Sequence, residues 1–569
     1  MTIQSLLAVA RGDQPADLLL TNGRVINVYS GEIVTTDIAI ADGMIAGFGQ
    51  REATRRRDLG GRFVAPGFID AHVHLESTMT VPSEYARAVL PHGTTAVAAD
   101  PHEIANVLGT AGLDYMLAAT DGQPLSFFFT LSSCVPATHM ETAGADLAAR
   151  DLAPYIHHPR IRGLAEMMNF PGAIQGESDV LAKIALALEA GKPVDGHAPG
   201  VSGPALEAYR AAGVGSDHEC TRREEALEKL RLGLHIMVRE GTGAKNLKEL
   251  VPLITPANAH RFMWCSDDRH PHDLLTDGHI DAMIRMAIDM GLDPVTAVRI
   301  ATLNPARYFN LPAHGAIAPG KRADLVILDA LETVAVHQVY SRGRLAAEAG
   351  GVAPDLVWPP QAAAPPSMHI DPQTIDLSLK AEGERVRVIE IVPEQIVTTA
   401  GLARTAVRDG LAVADPDRDL LKIAVIERHQ GTGRAGIGFV RGMGLVRGAL
   451  ASSVAHDAHN IVVVGADDRD MQAAVSQVAA MGGGLVAVCA GEVLAHLALP
   501  IAGLMSPQPI SAIDAQLTTL LAAAHQMGAT LPDPFMTLSF LALPVIPALK
   551  ITDHGLVDVD RFAVVPIFP

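Results

Sequence analysis

Short apolar runs of strand length recur through residues 63–310 and alternate with stretches of helical period. The runs fall at residues 63–69, 94–99, 126–131, 161–167, 193–195, 213–216, 234–238 and 261–265. The helical pattern appears at 83–90, 179–190, 222–232 and 294–308. Strands that alternate with helices predict a parallel sheet covered by those helices. Eight runs within roughly 247 residues match the ~250 residues of an eight-stranded α/β barrel. The expected fold class is therefore α/β, with a (β/α)8 barrel over residues 63–310.

A different texture flanks this region. Between residues 16 and 48, β-type runs are punctuated by Asn22-Gly23 and Asp42-Gly43, dipeptides that favour tight hairpins. The texture returns at 323–345, and Ala16-Asp17-Leu18 and Ala323-Asp324-Leu325 open the two stretches alike. Segments 1–62 and 311–352 are thus expected to build one small β-sandwich, with the barrel inserted between them. Residues 353–372 contain six prolines, the composition of a stiff, extended linker. Residues 373–569 mix apolar runs at 421–426, 461–464 and 485–488 with helical stretches, which predicts a C-terminal α+β domain. Gly431, Gly433 and Gly436 imitate a dinucleotide fingerprint, but such glycines must open a helix. The chain continues IGFVRGMGLVRG, so a turn and loop are expected there.

Composition narrows the function classes. At 569 residues, two or three domains are expected. Lys plus Arg number 44 against 63 Asp plus Glu, a net charge of −19. Nucleic acid and anionic membrane demand the opposite balance. Cys134, Cys220, Cys265 and Cys489 lie far apart with no C-x-x-C, which excludes a disulfide framework and a zinc ribbon and fits a reducing compartment. The N-terminus lacks a basic region followed by a long apolar run, so no secretory signal is expected and the assigned compartment is the cytoplasm. The most apolar window, 482–505, contains Glu492, His496 and Pro500, and it reads as buried core rather than a membrane span.

The candidate chemistry begins at His72-Val73-His74, which ends the first apolar run. Residues two apart on a strand share a face and lie ~6–7 Å apart along it, so both imidazoles can close on one cation. Glu166, His197, His218 and Asp267 then stand at the ends of later runs, where barrel enzymes carry their chemistry. Four imidazoles and two carboxylates exceed the needs of one four-coordinate ion. They suit two divalent cations that share a carboxylate and a bridging water. Asp267 is expected to take the proton of that water and deliver it to the leaving group. Nitrogen and oxygen ligands without thiolate accept Mn²⁺, Fe²⁺ or Zn²⁺.

PGFIDAHVHLES (66–77), with His197, His218 and Asp267, resembles the amidohydrolase superfamily, whose metal barrel is flanked by a β-sandwich. Many of its binuclear members bridge their metals with a carbamylated lysine on the fourth strand. Here no lysine lies between Arg150 and Ala182, and Glu166 takes the equivalent place. That departure, with ADPHEIANVLG (99–109), GLAEMMNFPG (163–172), DGHAPG (195–200), SDHE (216–219), CSDDRHP (265–271) and SSVAHDAHNIVVVG (452–465), is similar to the bacterial adenine deaminase family.

The resemblance implies purine salvage: hydrolysis of adenine to hypoxanthine and ammonia by attack of a metal-bridging hydroxide on C6. It implies two divalent ions per chain, Mn²⁺ or Fe²⁺ first and Zn²⁺ acceptable, and a homodimer or higher homo-oligomer. Carried over by residue, His72, His74, Glu166, His197, His218 and Asp267 hold the metals. An acid near purine N1 is expected, with Glu76, Glu103 and Glu219 as candidates. Ser77, His102 and Asp268 are candidate substrate contacts, and His459, in a loop with His456 and Asp457, is expected to help cap the barrel mouth.

Competing readings are a deaminase or cyclic amidohydrolase for another heterocycle, and a catalytically inactive barrel serving as a scaffold. The cytidine-deaminase type of zinc site is excluded: His74-Leu75-Glu76 supplies H-x-E, but no P-C-x-x-C follows.

Overall fold

The computed structural model describes residues 3–393 and 395–569. Its centre is a ring of eight parallel strands: β1 (Phe68–Val73), β2 (Thr94–Ala99), β3 (Ser126–Leu131), β4 (Ile161–Met167), β5 (Val194–Gly196), β6 (Ser216–Asp217), β7 (His235–Arg239) and β8 (Phe262–Cys265). β1 to β5 pair in sequence order, as do β6 to β8. Backbone hydrogen bonds close both remaining seams. Gly215 N–H donates to the Val194 carbonyl at 2.8 Å, and Asp267 N–H donates to the His72 carbonyl at 2.9 Å. Every edge is therefore paired, as a closed sheet requires.

The side chains follow the two-residue period of a strand. On β2, Val97 and Ala99 pack against Tyr85, Val89 and Leu113 under the helices. Ala96 and Ala98 face the other way and join Ile69, Ala71, Met237, Met263 and Cys265 in an inner core. These small residues and thioethers fill the ring from within.

Two sequence expectations change in detail. The run at 63–69 divides: Phe63–Pro66 pairs with Leu325–Leu328 and with Arg24 and Val25 outside the barrel, and β1 starts at Phe68. Gly67 makes the crossing, because a Cβ there would lie 2.0 Å from Thr95 Oγ1. The helical stretch at 294–308 also divides, into Pro294–Ile300 and Leu303–Tyr308. Pro305 has no N–H to offer the Ala301 carbonyl, which accepts from Ile69 N–H instead, at 2.8 Å. The break thus anchors the last barrel helices to β1.

Residues from both chain flanks share one nine-stranded sheet, in which Phe63–Pro66 lies between Leu325–Leu328 and Ala16–Asn27. Leu20, Ile38, Ile40, Val64, Leu325 and Ile327 form its own core. The proline-rich stretch runs extended, with the Arg87 guanidinium 3.9 Å from the Trp358 ring centroid. Beyond it an eight-stranded sheet is covered by helices Asp468–Ala480 and Ile510–Gln526.

Gly431 and Gly433 turn a loop with positive φ, and Gly436 lies in the strand Ala435–Arg441. The Glu427 carboxylate accepts the N–H groups of Gln430 at 2.6 Å and Thr432 at 2.9 Å, so this loop encloses the protein's own anion. Asn460 Nδ2 donates to the Thr142 carbonyl at 2.8 Å, and Ser506 N–H donates to the Met79 carbonyl at 2.8 Å. These bonds tie the C-terminal part to loops on the barrel's catalytic end. Among the described residues, no helix is long and apolar enough to cross a membrane.

The crossing at Gly67 yields a direct expectation. Gly67→Ala inserts a methyl group into Thr95 and costs about 1–3 kcal/mol, seen as an earlier urea transition. Gly351→Ala, where a Cβ meets nothing within 4 Å, leaves the transition in place. Equal midpoints for Gly67→Ala and the parent protein would contradict this account of the crossing.

Candidate metal centre

Every ligand-type side chain singled out in the sequence arrives at the C-terminal ends of the ring strands. His72 closes β1 and His74 follows it, while Glu166 sits in the last turn of pleat of β4. His197, His218 and Asp267 follow β5, β6 and β8. Asp267 adopts a left-handed backbone, φ 56°, and exchanges hydrogen bonds with β1: its N–H binds the His72 carbonyl, and its carbonyl accepts His74 N–H at 3.3 Å. That turn explains why Asp267 faces the two N-terminal imidazoles while Asp268 leaves them.

Glu166 is the hub. Its Oε1 lies 3.3 Å from His74 Nε2, 3.6 Å from His102 Nδ1 and 4.0 Å from His72 Nε2. Its Oε2 lies 2.5 Å from His197 Nδ1 and 3.2 Å from His218 Nε2. One oxygen therefore serves the early histidines and the other the late pair. Asp267 Oδ1 lies 3.1 Å from His74 Nε2 and 3.7 Å from His72 Nε2. The two Nε2 atoms of His72 and His74 are 3.1 Å apart. His74 Nδ1 donates to the Asp100 carbonyl at 3.1 Å, which aims its Nε2 at the carboxylates. All these side chains are buried except that of His197, which is 23 % exposed.

The electrostatics are those of a compensated buried charge cluster. Burial alone would raise the Glu166 and Asp267 carboxyls, but His197 beside one and Arg239 beside the other hold both well below the carboxylate range. Burial opposes charge on His74 and His218 as well, yet their hydrogen bonds to Asp267 and Glu166 raise them well above the imidazole range. His72 is driven the opposite way by burial and by His218 and His74. Ligand atoms of His72, Glu166 and His218, and of His72, His74 and Asp267, lie within 4.8 Å of one another. Imidazoles and carboxylates packed this closely, out of water, fit divalent cations with nitrogen and oxygen ligands. Divalent cations would supply the positive charge that buried carboxylates need.

The remaining candidates separate by environment. Glu219 is paired with Arg239 through both carboxylate oxygens; burial would raise its carboxyl, but Arg239 and His197 keep it well below the usual range. Glu76 and Glu103 are pushed up by burial, Glu103 further by the neighbouring Glu76 and Asp268 charges. The Ser77 hydroxyl donates to Asp268 Oδ1 at 2.5 Å and lies 3.4 Å from Glu103 Oε1. His102 stands against the ligand cluster, 3.2 Å from Asp100 Oδ2; burial lowers it, but the Asp100 charge brings it up to about 10.

A small cavity of about 30 Å³ above the cluster is lined by Glu76, Ser77, Asp268, His456 and Phe540. His459 is fully buried behind His456, ring centroids 5.5 Å apart, and it is His456 that faces the cavity, 3.4 Å from Glu103 Oε1.

Sequence reasoning passed over several contributors. Asp100 follows β2 directly and Arg239 ends β7, so the strand-end rule that found the ligands would have found both. Arg239 Nη1 donates to Asp267 Oδ2 at 2.6 Å. Asp70 needed the fold: it accepts Ser266 N–H at 3.1 Å and His72 N–H at 3.2 Å, and it lies 3.1 Å from His279 Nε2. It thereby locks β1 to β8 beneath the ligands. Tyr209 accepts His197 N–H at 3.0 Å and donates to the Met167 carbonyl at 2.9 Å, joining the late histidines to the strand of Glu166.

Known proteins resemble the chain along its whole length. Residues 63–346 match the amidohydrolase family model, and residues 395–563 match the adenine deaminase C-terminal domain. An adenine deaminase of Desulfatibacillum aliphaticivorans is 54% identical over 568 residues, covering 100% of both chains. One from Methanothrix thermoacetophila is 49% identical over 571 residues, again 100% of both. One from Kosmotoga olearia is 48% identical over 574 residues, 100% of this chain and 99% of the relative. With relatives at 48–54% identity matched over essentially their whole length, and both family models matched in order, the chain belongs to the adenine deaminase family of metal-dependent amidohydrolases.

Proposed function

We propose that this enzyme hydrolyses adenine to hypoxanthine and ammonia on two divalent cations bridged by Glu166. The observation that carries the reading is the division of the Glu166 oxygens between two histidine sets. Oε1 with His72, His74 and Asp267 would hold one cation; Oε2 with His197 and His218 would hold the other. When bound, such a pair lowers the pKa of an attached water and polarises the carbon it attacks. The ligand set accepts Mn²⁺, Fe²⁺ or Zn²⁺; the family resemblance puts Mn²⁺ and Fe²⁺ first.

The chain's own residues carry the protons. Asp267, kept ionised by Arg239, accepts a proton from the attacking water. A bond forms from the water oxygen to purine C6, and N1 takes up a proton as the ring loses aromaticity. Asp267 then passes its proton to the exocyclic nitrogen, the C6–N bond breaks, and ammonia leaves; the proton still on the C6 oxygen returns to the acid that served N1, which gives 6-oxo hypoxanthine and restores that acid. Glu103 is the acid that environment favours for N1: burial and the neighbouring Glu76 and Asp268 charges raise its carboxyl well above the usual range, whereas Glu219 is an ion-paired carboxylate. Glu76 accepts Ile104 N–H at 3.1 Å and supports Glu103 by raising it.

Ser77 and Asp268 offer polar contacts at the mouth, and the Phe540 and His456 rings, stacked with centroids 4.8 Å apart, offer a planar wall. His459 acts through His456 in this reading. The cavity of about 30 Å³ has room for about two or three waters. The remaining expectations of the family resemblance, a cytoplasmic homo-oligomer in purine salvage, accompany this proposal.

The reading is tested with protein purified from Mn²⁺- or Fe²⁺-supplemented medium, by ammonia release from adenine beside other aminopurines and cyclic amides. Preference for a cyclic amide would overturn it. Glu166→Gln is expected to lose at least one of two bound ions by elemental analysis and to lose turnover with it; two ions and full rate would remove the bridging role. Glu103→Gln should retain both ions and lower kcat by about 10²–10⁴-fold, and a kcat within threefold of the parent would assign the N1 acid elsewhere.

A further inference from the structure

A second, larger cavity, about 480 Å³, lies on the outer side of the β7 and β8 strand ends. Its walls are the loop after β7, the segment after β8, and helix Ile280–Asp289. In a chain of net charge −19 it is lined by four cations, Lys245, Lys248, Arg269 and Arg285, against two carboxylates, Glu240 and Asp277. The local balance is thus 4 − 2 = +2.

Two of these cations have no ion pair among the described residues, and the two arginines have only long ones: Arg285 Nη1 lies 4.0 Å from Asp281 Oδ2. Lys245 and Lys248 are exposed, and neither has a side-chain hydrogen bond or ion pair among the described residues. Arg269 is buried, 4% exposed, and its Nε and Nη1 have no hydrogen-bond partner; Nη2 lies 3.5 Å from the Asp273 carbonyl and 3.9 Å from Asp277 Oδ2. Arg285 Nη2 donates to the Asp277 carbonyl at 3.2 Å. Glu240 is the one carboxylate drawn inward, and it is engaged by Leu247 N–H at 3.2 Å. A buried guanidinium with unused donors is costly unless an anion completes it.

We propose that this cavity binds a small phosphoryl-bearing anion, an organic phosphate whose ester portion rests on Met286. A phosphomonoester carries about −1.5 to −2 charge at neutral pH, which matches the local excess. Arginine suits it by forked donation and lysine as a point charge. The volume lies within the ~300–1,000 Å³ of small-molecule sites, and the half-buried Met286 gives it an apolar patch. The site adjoins the metal centre without sharing residues with it: Glu240 follows Arg239, and Arg269 comes two residues after Asp267. A bound anion would join the Lys245–Lys248 loop to the segment that bears Asp267.

The test is calorimetric titration of the metal-loaded enzyme with inorganic phosphate and with uridine monophosphate, which lacks an adenine ring. Saturable one-site binding is expected for both, tighter for the nucleotide, and weakened at least tenfold by Lys245→Ala/Lys248→Ala. Adenine turnover in the absence of phosphate stays unchanged in that variant, since neither lysine belongs to the metal centre. Raising sodium chloride from 0.05 to 0.5 M should weaken binding of both probes, as screening requires. Absence of saturable binding, or binding equally strong in the double variant, which would place the anion on the metals, overturns the proposal.

Discussion

A single buried carboxylate organises this protein. Glu166 lies within reach of five imidazoles, those of His72, His74, His102, His197 and His218. A carboxylate at this depth is sustained only by positive charge around it. The positions of those imidazoles depend in turn on the closed ring, because they come from the ends of four different strands, β1, β2, β5 and β6, or the segments just after them. Asp70 fixes β1 against β8, and Tyr209 fixes β4 against the segment after β5. The ring makes the charges converge, and the charges give the ring's open end its chemistry.

Opposite fates of similar residues follow from their partners. Asp267 and Asp268 are neighbours, yet one faces Arg239 and the histidines while the other binds the Ser77 hydroxyl. Glu103 and Glu219 are both acids near the mouth; one lacks a strong cation and is pushed towards its neutral form, the other is held ionised by Arg239. Acid and base are thereby separated by environment within one small volume. The C-terminal part contributes His456 and Phe540 to the same volume, so the barrel alone does not complete the pocket.

Much of this was legible in the sequence, because the barrel's rule is local. An apolar run followed by a ligand-type residue marks a strand end, and that pattern located His72, Glu166, His197, His218 and Asp267 individually. The same rule applied without omission would have added Asp100 and Arg239. What escaped it was non-local. That Phe63–Pro66 leaves the barrel depends on pairing with Leu325–Leu328, more than 250 residues away. The choice of His456 over His459 as the residue facing the pocket depends on tertiary packing that no periodicity reports. The ranking of the three acids depends on Arg239, whose role is invisible until β7 and β8 are set side by side.

The most direct test of the account is anomalous diffraction from crystals of the Mn²⁺-loaded protein. Two peaks are predicted, one on each side of the Glu166 carboxylate, the first among His72, His74 and Asp267 and the second beside His197 and His218. One peak alone, or a pair that leaves Glu166 outside contact with either ion, would contradict the arrangement on which the chemistry has been built.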